Sequence, residues 1–316
     1  MPEHGVFQRV RSGVVCPGAV SDLPFRGSVL RQRRWAPGRF AVSVDPQVIL
    51  LTGCASGIGQ HLAGAFAQRG WLVMATDVAM GRLEEACRTG GWPSDRVVTR
   101  ALDVRDRAAW AEVLAATEDL LGPPDVLLHV AGYLSPGYIA ECDPMDIDRH
   151  LSINAAGVMQ GTRVVLPGMI ERERGHIVVV GSLAGIAPVP GIALYSASKF
   201  AVRGFTLALA EEVRPRGVAV SLISPDAVET PMLDLQVHRE EAAMTFSGAR
   251  PLRVEDIERA VFDTVLPHRP VELTLPGHRG WLARVGGAVP GLSRGIGPLV
   301  RAVGRHRQRR YRRGGR

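Results

Sequence analysis

From Val48 onward, short runs of apolar and β-branched residues alternate with longer stretches of helical pattern. The runs are Val48-Ile49-Leu50-Leu51, Trp71-Leu72-Val73-Met74-Ala75, Val97-Val98-Thr99, Val126-Leu127-Leu128-His129-Val130, His176-Ile177-Val178-Val179-Val180, Val218-Ala219-Val220-Ser221-Leu222-Ile223 and Val271-Glu272-Leu273-Thr274-Leu275. A strand written as a continuous apolar run, without polar alternation, has both faces covered by helices. The pattern therefore predicts an α/β fold, a doubly wound parallel seven-stranded sheet with helices on both faces. No internal repeat is visible.

The two ends of the chain depart from this pattern. Residues 1–45 mix Arg, Pro, Gly and Ser without period and are expected to be disordered. A second expectation is that they are never translated, because an internal GUG start near Val44 would begin the chain almost at the first strand. Mass spectrometry of the native N-terminus decides between the two. After Gly277, Leu282, Val285, Val289, Leu292, Ile296, Leu299 and Val303 recur at three- and four-residue steps, interrupted by Pro290 and Pro298, and an Arg-rich end follows. The chain thus divides into an extension (1–45), a catalytic-size domain (46–277) and an amphipathic basic tail (278–316).

Charge sharpens that division. Of a formal net charge of +7, residues 301–316 hold eight Arg and no acid, and residues 1–45 hold seven Arg against Glu3, Asp22 and Asp45, so residues 46–300 carry −5. The basic character belongs to the ends. An apolar fraction of 46% is ample for a buried core, yet every apolar run at the N-terminus is broken as a signal peptide would not be. No stretch is long enough to span a bilayer. Cys16, Cys54, Cys87 and Cys142 form no CxxC pair and have no His at ligand spacing. This fits a reduced cytoplasmic protein without a metal site.

Candidate chemistry begins where the first run ends, in Thr52-Gly53-Cys54-Ala55-Ser56-Gly57-Ile58-Gly59. Glycines at these spacings allow a tight turn and let backbone approach a pyrophosphate that caps the following helix. The turn leaves a buried strand and opens a helical stretch through Gln68, as in a Rossmann-like domain. Asp77 stands eighteen residues after Gly59, at the end of the second strand. A carboxylate there accepts both adenosine ribose hydroxyls and repels an added phosphate, which predicts NAD(H) over NADP. The other reading of Asp77 is a helix N-cap, and Arg82 reverses the preference if its loop folds back. Asp103, in Leu102-Asp103-Val104, is read as an adenine contact or a plain cap.

The chain has 37 Arg and a single lysine, Lys199, four residues after Tyr195 in Tyr195-Ser196-Ala197-Ser198-Lys199. A lysine is a compact point charge where an arginine is a planar fork. A cation that survived this bias is therefore a catalytic candidate, chance survival on a helix surface being the alternative. Tyr195 and Lys199 share a helix face. An unperturbed tyrosine titrates near about 10, and an adjacent ammonium is expected to lower that toward the working range. Ser182 is placed to hydrogen-bond a substrate oxygen.

With these motifs in order, the chain resembles the short-chain dehydrogenase/reductase family over roughly residues 46–277. His129-Val130-Ala131-Gly132 stands where the family usually has Asn-Asn-Ala-Gly. Ser152-Ile153-Asn154 matches its active-site asparagine, Gly181-Ser182 its serine, and Tyr195 with Lys199 its YxxxK pair. Pro225-Asp226-Ala227-Val228-Glu229-Thr230 resembles PGxVxT with Asp226 in place of glycine. The resemblance implies Tyr195 as general acid/base and Lys199 on the nicotinamide ribose. It further implies Asn154 holding a proton-relaying water, Thr230 on the carboxamide, and a homodimer or homotetramer.

The expected substrate wall combines residues 184–190, residues 133–138 and residues 231–250 with Met232, Leu233, Leu235, Val237, Met244 and Phe246. Few charges face this region, which favours an apolar alcohol or ketone (steroid, retinoid or lipid-like) over a sugar; apolar residues there also serve ordinary packing. For the tail, three expectations stand: an anionic membrane interface, reached peripherally at the inner surface, packing on a neighbouring subunit, or solvated disorder. Nucleic acid ranks last, since Tyr311 is the sole aromatic near the Arg-rich end. Two other functions compete: a vestigial NAD-binding scaffold docked by the tail, and a sugar epimerase or dehydratase. Presence of Asn154, Ser182, Tyr195 and Lys199 argues against the first. The TGxxxGIG spacing and lack of a large second domain argue against the second.

Overall fold

All seven apolar runs form strands. In a computed structural model, which describes residues 47–313, they are β1 (Val48–Thr52), β2 (Leu72–Asp77), β3 (Val97–Ala101), β4 (Val126–His129), β5 (Gly175–Val180), β6 (Val218–Pro225) and β7 (Glu272–Leu275). Both expectations for residues 1–45 fall outside the described residues. The strands make one parallel sheet in the order β3-β2-β1-β4-β5-β6-β7, the predicted doubly wound arrangement.

Successive strand residues point to opposite faces, and both faces are dry. Ile49, Leu51, Val73, Ala75, Leu128 and Val178 pack on one side with Leu62 and Phe66 of α1 (Gly57–Gln68), Leu83 of α2 (Met80–Thr89) and Ile257 of α8 (Val254–Arg259). Leu50, Met74, Leu127, Ile177, Val179 and Leu222 pack on the other. Their partners are Trp110 and Val113 of α3 (Arg107–Leu120), Val165 of α5 (Gly157–Glu171) and Val202 and Leu209 of α6 (Ala193–Val213). This two-sided burial is why the strand sequences show no polar alternation.

Between α4 (Met145–Arg149) and α5, residues His150–Ala156 form a π-helical turn, a feature that concentrates at functional sites. After β6 the chain forms α7 (Pro231–Val237) and a 3₁₀ segment, Glu240–Ser247. The short α9 (Leu266–His268) precedes β7.

Beyond β7 the described tail forms two helices, α10 (Gly277–Ala288) and α11 (Pro290–Arg313), with a break at Val289. The expectation of a solvated, disordered tail is corrected, because α11 is seated on the 3₁₀ segment of its own chain. A Cβ at Gly304 would lie 2.1 Å from Ala243 O. Gln308 Nε2 donates to Gln236 O and Arg239 O at 2.8 Å each, Arg312 donates to Val237 O, and Tyr311 meets Phe246 with ring centroids 5.8 Å apart.

Candidate active site

The strand order reverses between β1 and β4, which opens a crevice at their carboxyl ends where open α/β sheets bind ligands. Gly53 leaves β1 with φ +75°, and a Cβ on it would lie 2.7 Å from Ala131 N in the segment leaving β4; one on Gly59 would lie 2.1 Å from Gly53 O. Only glycine fits this junction. Thr52 Oγ1 fixes the second wall by accepting from Val130 N (3.1 Å) and Ala131 N (3.2 Å). Ser56 at the N-cap of α1 makes no side-chain capping bond, and Gly57 and Ile58 line the crevice. First-turn N–H groups of this kind are a phosphate site. The cradle therefore fits the pyrophosphate of a dinucleotide.

The crevice continues into a cavity of about 720 Å³. It is lined by Gly53, Ser56, Gly57, Ile58, Asp77, Asp103, Val104, Ala131, Gly132, Ser182, Tyr195, Lys199, Pro225, Val228 and Thr230. Of the residues singled out in the sequence, Gly59 and Asn154 lie behind this wall, Gly59 against Gly53 and Asn154 fully buried. At the end of β2, Asp77 Oδ2 accepts from Ala55 N (3.0 Å) in the glycine turn and Oδ1 from Ala79 N (2.9 Å). Asp77 thus braces the turn as well as facing the cavity. Asp103 is gripped by Arg105, whose N, Nε and Nη2 all donate to it; these bonds lower its pKa. Arg82 also reaches the cavity wall.

Tyr195 and Lys199 lie one turn apart on α6, both buried, with Nζ 5.6 Å from the phenol ring centroid. Nζ donates to Val180 O at 2.9 Å. Tyr195 and Ser182 both line this cavity, and Ser182 Oγ accepts from Ala184 N (3.1 Å). The expected acidification of Tyr195 is corrected for the protein's own groups. Burial pushes the phenol up to about 12, the Ser182 hydroxyl opposing it, and pushes Lys199 down to about 8. Desolvation disfavours both charged forms.

Asn154 is brought to the site by the π turn. Its Nδ2 donates to Tyr133 O and Ser198 Oγ, both at 2.9 Å, and its Oδ1 accepts from Tyr133 N at 2.6 Å. Its amide therefore ties the segment after Gly132 to α6. The replaced asparagine at 129 is accommodated by packing. His129 Nε2 lies 3.2 Å from Thr162 Oγ1, its ring meets Trp110 edge-on at 5.7 Å, and burial lowers its pKa to about 3.

The inner cavity takes Ala184, Ala187, Pro188, Val189, Tyr133, Leu134, Met232, Leu233 and Met244 from the expected wall. Val237 and Phe246 instead pack with Leu233 and Tyr311, and Leu235 is exposed. Sequence reading missed the far wall, formed by Leu282, Val285, Ile296 and Val300 of the tail. It also missed that Asp226 ion-pairs with Arg279 at 2.5 Å, a partner fifty-three residues away; the substitution at 226 was its only visible sign.

A dinucleotide crevice that ends on a tyrosine, a lysine and a serine defines a nicotinamide-dependent oxidoreductase acting on CH–OH groups. Comparison with known proteins agrees: the short chain dehydrogenase family model matches residues 47–241, and the chain belongs to that family. It is 35% identical over 237 residues to the NADP-dependent 3-hydroxy acid dehydrogenase YdfG of Salmonella typhi, covering 73% of this chain and 90% of that protein. Among solved structures, it resembles a short-chain dehydrogenase/reductase from Burkholderia phymatum in complex with NAD (TM-score 0.69, 25% identity, 79% of this chain and 95% of that one). It also resembles a single-substitution variant of the actinorhodin polyketide ketoreductase with NADPH (TM-score 0.68, 29% identity, 75% and 98%).

Proposed function

We propose that the protein is an NAD(H)-dependent oxidoreductase that interconverts an apolar secondary alcohol and its ketone, of steroid, retinoid or lipid-like type. The observation that carries this reading is the cavity beyond Tyr195, walled by Leu134, Val189, Met232 and Met244 and closed by Val285 and Val300. Where the tail meets the cavity, Asp226 and Arg279 line it and neutralise each other. Neither is offered unpaired to a substrate carboxylate or phosphate, which separates this site from one built to hold an acid.

Ser182 and Tyr195 hold the substrate oxygen between their hydroxyls, and Tyr195 takes its proton in oxidation or returns it in reduction. The nicotinamide, when bound, accepts or donates the hydride. With its phenol pushed up to about 12 by burial, Tyr195 is protonated through neutral pH, the form in which it can donate to a ketone oxygen. Lys199, tied to Val180 O, places its positive charge behind the phenol.

A panel of apolar ketones followed by NADH absorbance tests the reading. Tyr195→Phe should lower turnover roughly a hundred- to ten-thousandfold; unchanged turnover would overturn the mechanism. For the cofactor, the support is the Asp77 carboxylate at the end of β2. Asp77→Ala should shift the NADH-to-NADPH preference toward NADPH on the order of tenfold. A wild-type enzyme that already prefers NADPH would overturn that choice.

A further inference from the structure

Five large apolar side chains of the tail stand in solvent: Trp281 (62% exposed), Leu282 (56%), Val289 (51%), Ile296 (47%) and Leu299 (68%). Leu282 and Ile296 also line the cavity, so the patch and the chamber share one rim. Along α11, Ile296, Leu299, Ala302, His306, Arg310 and Arg313 follow at three- or four-residue steps and are all exposed. They form one outward stripe that begins apolar and ends basic.

Residues 278–316 contain eleven Arg and no Asp or Glu. Arg279 and Arg284 are occupied by Asp226 and Glu272, and Arg307 and Arg312 donate to backbone carbonyls of Ser247 and Val237. Arg305, Arg309, Arg310 and Arg313 remain exposed.

We infer that this face docks on an anionic phospholipid bilayer, the apolar end entering the acyl boundary and the arginines lying among the headgroups. Apolar area plus basic residues on one helical face is the chemistry of an interfacial helix. A second copy of the chain would set like charges against each other. A nucleic acid would leave Leu282, Ile296 and Leu299 in water, and Tyr311, the aromatic nearest the basic end, is packed on Phe246. Docked this way, the chamber mouth faces the layer in which an apolar substrate is dissolved. The inference goes beyond the reaction proposed above and stands whichever carbonyl that assay selects.

The test is flotation of the full-length protein with phosphatidylcholine vesicles, with and without phosphatidylglycerol, at low and high salt. Wild type should float with the anionic vesicles, detach as salt rises and float poorly with neutral ones. Arg305→Gln/Arg309→Gln/Arg310→Gln should weaken partitioning on the order of a hundredfold, about fivefold per arginine. Trp281→Asp/Leu299→Asp should abolish it, while both variants still reduce a water-soluble ketone as wild type does. The inference is overturned if wild type ignores anionic vesicles, or if neither variant changes flotation. It is equally overturned if the apolar variant alters only the oligomeric mass, or if a nucleic acid, and no vesicle, is retained.

Discussion

Lys199 shows how much a single position can report. Burial holds its pKa at about 8, against 10.5 for an ordinary lysine, so the folded chain binds fewer protons than the unfolded one between those values. Stability rises with pH wherever the unfolded state binds more protons. The cost of burying the ammonium is thus fully present below pH 8 and is relieved as pH climbs toward 10. Because Lys199 is the sole lysine, competitive labelling with an amine reagent followed by peptide mapping isolates its titration. We expect an apparent pKa near about 8 in the folded protein and denaturant stability that increases over the same range, on the order of 2–3 kcal/mol. A folded-state value above about 10 would sink this account. Tyr195, pushed the other way, begins to cost stability above pH 10, which limits the window to its alkaline side.

At the scale of elements, the sheet was legible because a parallel strand covered on both faces must be apolar throughout, and each run named from the sequence became a strand. Boundaries shifted by a residue or two where the ladder, rather than side-chain character, sets the end. β2 runs on to Asp77 because its register with β3 continues to Ala101. Illegible in the sequence was the fit between α3, β4 and α5. There a Cβ on Gly161 would lie 2.3 Å from Trp110 Cζ2 and 2.8 Å from His129 Cε1. The imidazole at 129 occupies space that the glycine leaves. Gly161→Ala should therefore lower stability by about 1–3 kcal/mol through overpacking, although alanine is the better helix former. Thermal unfolding checks this, and a melting temperature at or above wild type would contradict it.

For the whole molecule, the decisive contact is between the tail and the loop after β6. Asp226 is mostly buried, which raises its pKa, and Arg279 lowers it in return; Arg279 also donates to Ser247 Oγ at 3.0 Å. Removing the guanidinium leaves a buried carboxylate uncompensated. Arg279→Ala should cost about 1–3 kcal/mol and raise KM for apolar ketones as the α10 wall loosens. Asp226→Gly in the same chain should recover much of the stability loss, a coupling above about 0.5 kcal/mol in a double-mutant cycle. Strict additivity would show that the pair does not tie tail to loop.

The sequence alone determined the sheet, the dinucleotide turn and the Tyr195–Lys199 pair, because each rests on local rules: strand burial, glycine geometry in a turn, and the four-residue step of a helix. Tertiary structure decided that burial raises the pKa of Tyr195 and lowers that of Lys199, since burial is the sum of everything packed around a group. It also decided that the tail walls the cavity beside Tyr195. That depends on Asp226 meeting Arg279 and on Gly304 admitting Ala243, contacts between residues more than fifty positions apart that no local pattern encodes.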